Sequence, residues 1–350
     1  MTARSLSTDP EKLRYRAIIG TGGIGSGAFF ELRGNDTLGR EESRAGRFLD
    51  RRDYCKLHII SHYVQTLLGR EFRALPIGAV GDDDVGKKLL LEMGEAGLDT
   101  SRVATIPDKP TLYSFCFVYP DGSGGNLTTD DSASSHVDAS LIRSAEGEFS
   151  KHQGRGIALA VPEVPLEARR ALLTVGRSYR FLRSASFTTE ELRDPLGREM
   201  LGDVDLLAVN AEEAAAAAEL AVCDEMLPEL VAEGAVQRLS EAYPDMLISI
   251  TAGGHGSWSW DGSVLSHCPP CQAEISSTAG AGDAHFAGIL VGLTAGLLLR
   301  EAQQLGTLVA GLSVTSPHTI DKRIGRETLR AFAQTCSVPL ADSVRSLLEA

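Results

Sequence analysis

The residues best suited to chemistry are Ser277-Thr278-Ala279-Gly280-Ala281-Gly282-Asp283, set just before the apolar segment Phe286 to Leu299. Gly280, Ala281 and Gly282 carry little bulk, so their backbone N–H groups stay open to a ligand. A helix start at this point adds partial positive charge, which suits a phosphate. Asp283, in the first turn, would repel such an anion. Its presence there suggests a base that takes a proton from an attacking hydroxyl. The same residues also suit a glycine turn with Asp283 as an ordinary helix cap.

Two other segments place polar groups where a strand gives way to a turn or helix. Asn210-Ala-Glu-Glu213 could hold water around a magnesium ion on bound nucleotide, since magnesium keeps several waters and favours carboxylate oxygen. Asn followed three residues later by Glu is equally a capping box. Thr251-Ala-Gly253-Gly-His-Gly256 could bring a hydroxyl and loop amides to nucleotide phosphates, or could simply turn the chain. Gly20-Thr-Gly22-Gly-Ile-Gly25 matches the dinucleotide fingerprint of a nicotinamide-dependent oxidoreductase. That reading needs a packed helix next, whereas Gly27 and Gly34 bracket barely two turns.

The elements that must position these groups alternate. Strands are predicted at 16–20, 74–80, 157–161, 206–210 and 247–251, and helices at 57–68, 85–93, 211–221 and 227–243, with two more after Asp283. Short runs rich in Ile, Leu, Val and Ala between helices predict an α/β fold: a doubly wound, mostly parallel sheet flanked by helices. Two segments break the rhythm. Residues 29–48 lack a crossover helix, and Thr111 to Thr129 reads as a hairpin that is apolar on both faces. Together they predict a small β-sheet lid over the carboxyl ends of the main strands. The expected organisation is a flexible tail over 1–14, a core formed by 15–28, 49–109 and 135–345, and a lid formed by 29–48 and 110–134. Gly288, Gly292 and Gly296 recur every four residues, predicting a smooth helical strip for close packing.

Bulk properties narrow the function classes. With 350 residues, 43% apolar and 23% charged, the chain can bury a substantial core. A formal net charge of −13 argues against nucleic-acid binding, which rests on basic surface. The longest apolar stretch is too short to span a bilayer, no secretory signal is expected, and a cytoplasmic setting follows. Six scattered cysteines (Cys55, Cys116, Cys223, Cys268, Cys271 and Cys336) are expected to be free thiols. Cys268-Pro-Pro-Cys271 is the one metal-like or redox-like spacing, and it lacks a second ligand pair.

The order of these segments resembles the ribokinase-like (PfkB) carbohydrate kinases: a glycine-rich first strand, a β lid, then N-x-x-E, T-x-G-x-x-G and T-x-G-A-G-D. Gly78-Ala-Val-Gly81-Asp82-Asp-Asp-Val-Gly86 and Leu312-Ser-Val-Thr315 extend the resemblance, which runs from about Ala17 to about Phe332. It implies ATP and Mg2+ as cofactors and a small-molecule acceptor, a sugar first by family analogy, with a nucleoside second. Asp283 would be the general base, and the amides of Gly280, Ala281, Gly282 and Asp283 the anion hole. Thr251, Gly253, Gly256 and Thr278 would lie along ATP, with Asn210 and Glu213 organising magnesium through water. Lid edges in the family often pair between subunits, consistent with a homodimer.

The chain departs from that pattern in three places. Ser277 stands where the family has Asp, which argues against a monovalent-cation site. The acidic residue expected soon after the first strand is not evident in Gly20 to Gly27. The family's Gly-Gly followed by Asn at the start of the first long helix is replaced by Arg52-Asp-Tyr-Cys-Lys56-Leu-His58-Ile-Ile-Ser-His62. Lys56 and His58, with Arg40, Arg44, Arg47, Arg51 and Arg52, become candidates for an anionic or bulky acceptor, against a solvated charged face. A nucleotide-binding regulatory protein that lost its acceptor site is the remaining alternative.

Overall fold

The computed structural model describes residues 4–121, 124–221 and 226–349. Alternation along the strands sorts side chains into two cores. Ile18, Ile157, Leu159 and Leu206 face one, while Ile19, Ala158, Ala160 and Leu207 face the other. A strand apolar on both faces must be covered twice, so helices pack on each side of the sheet.

The chain forms β1 (Ala17–Thr21), β2 (Gly25–Leu32), β3 (Gly46–Tyr54), β4 (Arg73–Gly81), β5 (Val103–Ile106), β6 (Leu112–Val118) and β7 (Gly124–Thr128). There follow β8 (Gly156–Ala160), β9 (Leu182–Ala185), β10 (Leu206–Asn210), β11 (Leu247–Thr251), β12 (Ser257–Trp260) and β13 (Leu265–Cys268). The main sheet has nine strands in the order β13-β12-β11-β10-β9-β8-β1-β4-β5. Strands from β11 to β5 run parallel, and β12 and β13 add an antiparallel edge. The Lys56–Leu68, Ala281–Thr294 and Leu299–Ser313 helices cover one face, and the Leu166–Ser178 and Pro228–Ala242 helices cover the other.

A second sheet of four strands, β3-β2-β6-β7, forms the lid. Residues 25–28 and 49–54, assigned from sequence to the core, are strand residues of this sheet. The hairpin has one face turned inward, with Leu112 and Ser114 buried. Its other face stays open, with Tyr113 and Leu127 exposed. Gly122 and Ser123 at its tip lie outside the described residues.

Two expectations are corrected. Residues 4–14 are no loose tail: Leu6 and Leu13 are buried, and the Leu6 N–H donates to the Leu67 carbonyl at 2.8 Å. Cys271 and Cys336 form a disulfide across a separation of 65 residues, because the loop after β13 packs beside the end of the Arg326–Thr335 helix. Cys55, Cys116 and Cys268 are free, and Cys223 lies outside the described residues. Among the described residues no helix is long and apolar enough to cross a membrane. Of the predicted glycine strip, Gly288 packs on Gly306 and Gly292 on Ala302, whereas Gly296 ends the turn at φ +90° with open space around it.

Candidate active site

A cavity of about 410 Å³ opens along the carboxyl ends of the parallel strands, the edge where such sheets ordinarily hold ligands. Asn210 ends β10 and caps the Ala211–Ala217 helix. Its Oδ1 accepts the Glu213 N–H at 2.8 Å, and Glu213 Oε2 accepts the Asn210 N–H at 2.9 Å. The capping box is therefore formed, and both residues still line the cavity. Burial raises the affinity of Glu213 for its proton, and the charge of Lys56 opposes that.

Thr251 ends β11, and Gly253 and Gly256 turn the chain at φ +51° and +88°. A Cβ at Gly256 would meet backbone and side-chain atoms of β13 and the residue after it, so glycine is required there. All three residues line the cavity, as do Thr278, Gly280, Ala281, Gly282 and Asp283. Gly280 adopts φ +76° as the residue before the Ala281–Thr294 helix. The Ala281 N–H donates to the Thr278 carbonyl at 3.2 Å. The Gly282 and Asp283 N–H groups lie in the first turn, ahead of any intrahelical acceptor. At the far wall Ala310, Gly311 and Val314 line the cavity beside Cys271.

Lys56 begins the helix that follows β3, and its Nζ lies 3.5 Å from Asp283 Oδ1. The Asp283 carboxylate, followed by the charges of Glu213 and Glu163, holds the Lys56 ammonium well above its ordinary pKa. His58, two residues on, is not in the site. Residues two apart on a helix point to different faces. His58 is buried against Tyr54, with ring centroids 4.8 Å apart, and burial pushes it down to about 3.

The arginine cluster also stays outside the cavity. Arg47 pairs with Glu31 at 2.6 Å, Arg52 with Glu92 at 3.1 Å, and Arg44 with Glu42. His285, directly before Phe286, is buried against Gly306 with its Nε2 3.2 Å from Ser257 Oγ.

Two carboxylates were not singled out from sequence, and the first, Glu163, lies beside Lys56. Glu163 follows β8 at φ +79°, and its Oε2 accepts the Lys56 N–H at 3.4 Å. Burial is the main cause that pushes Glu163 up to about 7. A Cβ at Gly23 would stand 2.5 Å from Glu163 Oε2, so the glycine-rich stretch after β1 leaves room for this carboxylate. That stretch runs into β2 and not into a helix, so it lacks the helix a dinucleotide site requires. The second residue is Asp53, near the end of lid strand β3 and buried against Ser114 of β6. An acidic residue just beyond a buried parallel strand was the available sequence signal for Glu163. Asp53 had none beyond its closeness to Lys56.

A doubly wound sheet with a β lid and a helix start receptive to anions at its carboxyl edge defines a ribokinase-like protein. The chain belongs to the pfkB family of carbohydrate kinases, whose model matches residues 62–324. It is accordingly a phosphotransferase with an alcohol acceptor. It is 24% identical over 241 residues to a ribokinase of Lactococcus lactis, covering 68% of this chain and 72% of that one. It is 28% identical over 254 residues to an ATP-dependent ribose-1-phosphate kinase of Halopiger xanaduensis, covering 70% and 77%. The structure superposes on a ribokinase from Cryptococcus neoformans, solved in complex with ADP, with a TM-score of 0.74 and 19% identity. That match covers 91% of this chain and 99% of the other.

Proposed function

We propose that the protein transfers the γ-phosphoryl group of ATP to a hydroxyl of a sugar or sugar-like small molecule. The observation that carries this reading is the position of Asp283, in the first turn of a helix whose start opens into the cavity, 3.5 Å from Lys56.

Asp283 takes the proton of the attacking hydroxyl as that oxygen bonds to the γ-phosphorus and the bond to the β–γ bridging oxygen breaks, releasing ADP. The N–H groups of Gly282 and Asp283, with Gly280 and Ala281 shaping the turn, stabilise charge on the transferring group. Lys56 keeps Asp283 compensated and adds positive charge beside the phosphoryl oxygens. Thr251, Gly253, Gly256 and Thr278 lie along the nucleotide.

Glu213 and Asn210 suit magnesium held through water. Their capping bonds leave the second Glu213 oxygen and the Asn210 amide unassigned, and no group of three metal-ligating side chains occurs among the described residues. When bound, magnesium would neutralise phosphate charge. The lid excludes water, which otherwise competes as acceptor.

The test is ATP consumption over a panel of sugars, polyols and nucleosides, with Asp283→Asn as control. We expect turnover with at least one acceptor and a loss in the variant of about 10²–10⁴-fold with ATP binding retained. Measurable ATP binding with no acceptor consumed would favour a regulatory nucleotide-binding protein instead.

A further inference from the structure

We infer that the Cys271–Cys336 disulfide is a redox control on ATP binding. The oxidised chain holds one wall of the cavity in place, and a dithiol reductant releases that wall and weakens the site. This inference rests on the kinase reading above, in which that side of the cavity takes ATP.

Cys271 stands between β13, which ends at Cys268, and the helix start at Gly280 to Asp283. Pro270, Cys271 and Ile275 line the cavity, and the same stretch of chain runs on to Thr278 and Gly280. Little else fixes this wall. No main-chain N–H from Cys271 to Ile275 finds an acceptor among the described residues. The next anchors are the Ser276 and Ser277 N–H groups, which donate to the Val314 carbonyl at 2.8 and 3.2 Å. On the other side Cys268 is buried, and its Sγ accepts the Thr307 hydroxyl at 3.4 Å. Between these anchors Cys271 is held by its bond to Cys336 and by packing on the Leu299–Ser313 helix. A Cβ at Gly311 would stand 2.6 Å from the Cys271 Cβ. Cys336 ends the Arg326–Thr335 helix, and its N–H donates to the Phe332 carbonyl at 2.9 Å. The disulfide therefore runs from a fixed helix end to the middle of an unbraced wall.

Ile275, apolar and exposed, lies in the same stretch, so a ligand in the cavity has apolar surface to cover there. Both cysteines are only half-buried, which leaves the bond open to exchange. A thiolate of the reductant attacks one sulfur, forming a mixed disulfide and freeing the other cysteine, which takes a proton. The second thiolate of the reductant then displaces the remaining cysteine, which is protonated in turn. Two electrons pass to the pair, and the reductant leaves as its own disulfide. Released from Cys336, residues 269–275 gain conformational freedom that ATP must remove again when it binds. The coupling is reciprocal: ATP favours the disulfide by the same factor by which the disulfide favours ATP.

The test uses the full chain. ATP affinity is measured by calorimetry on the oxidised protein and again after reduction with dithiothreitol, well below the melting temperature of either form. We expect reduction to raise the Kd for ATP about tenfold, near the low end of ordinary coupling between sites. Cys336→Ser, which breaks the bond at the cysteine that does not line the cavity, should bind ATP like the reduced protein and ignore the reductant. In the converse arm the midpoint potential of the pair is read in dithiothreitol buffers, with and without ATP at a concentration saturating both forms. ATP should move it about 30 mV more negative, which is the tenfold factor converted for a two-electron couple. A disulfide that only stabilises the fold would lower the melting temperature on reduction and leave both Kd and midpoint unmoved. That result, or tighter ATP binding by the reduced protein, overturns the inference and leaves the kinase reading standing. The midpoint arm needs no variant, so it decides the matter even if Cys336→Ser does not fold. Absence of ATP binding in both redox states overturns the inference and the kinase reading together.

Discussion

Lys56 Nζ and Asp283 Oδ1 lie 3.5 Å apart although 227 residues separate them in the chain. One begins the helix after the lid strand β3, and the other sits in the first turn of the helix that closes the cavity. The contact joins two elements that line the same cavity. Lys56→Met should therefore lower kcat by about 10²-fold, the scale of losing one electrostatic stabiliser. Steady-state kinetics with calorimetric ATP binding would check this, and an unchanged kcat would remove Lys56 from the reaction.

Gly282 and Gly280 should respond differently to alanine. A Cβ on Gly282 meets only Thr251 Oγ1, at 3.9 Å, and otherwise points into open space. Gly282→Ala should keep its melting temperature within about 2 °C while raising the KM for ATP, because the methyl occupies the ligand approach. Gly280 sits at φ +76° with Thr319 only 3.1 Å from its would-be Cβ. Gly280→Ala should cost about 1–2 kcal/mol of stability as well as activity. Paired melts and kinetics distinguish the two.

Burial lowers His58 to about 3 and both His62 and His285 to about 4. The unfolded chain takes up these protons near pH 6.5, so the stability they contribute is complete above that value and is lost as pH falls toward 4. Glu163 runs the other way: with its folded pKa raised to about 7, its contribution is present at low pH and is lost as pH rises through 7. Melting temperature should drop by several degrees, roughly 3–8 °C, from pH 7 to pH 5. Glu163→Gln should melt higher than wild type at pH 8. A flat profile between pH 7 and 5 would contradict the histidine assignment.

The Cys271–Cys336 disulfide closes a loop spanning 65 residues, and Cys271 also lines the cavity wall. Reduction should lower stability by up to about 4 kcal/mol on the chain-entropy estimate. Differential scanning calorimetry with and without dithiothreitol reads this directly. The Cys336→Ser protein should melt low in both conditions, and an effect of reductant on that variant would point to another thiol.

Most of the strand and helix alternation, the lid hairpin and the glycine-rich helix start at Gly280 to Asp283 were legible in the sequence, because each is encoded over a few neighbouring residues. Apolar runs mark strands buried on both faces, and the small residues at 280–282 mark a backbone left open to a ligand. The short strands β5 and β9 were missed because four residues carry too little periodicity. The loose tail failed for a different reason: Leu6 and Leu13 find their partners on helices far along the chain.

The sequence by itself determined the local features of the candidate site, since a helix start, its glycines and its carboxylate are neighbours in the chain and travel together. Only the tertiary structure decided which distant groups meet there. Strand order brings Glu163, just beyond β8, to the Lys56 backbone and Asp53 of β3 to Ser114 of β6, while helical geometry turns His58 toward Tyr54. Which carboxylates gather there, and which cation is left to answer them, depends on sheet register across more than a hundred residues. No local pattern carries that information.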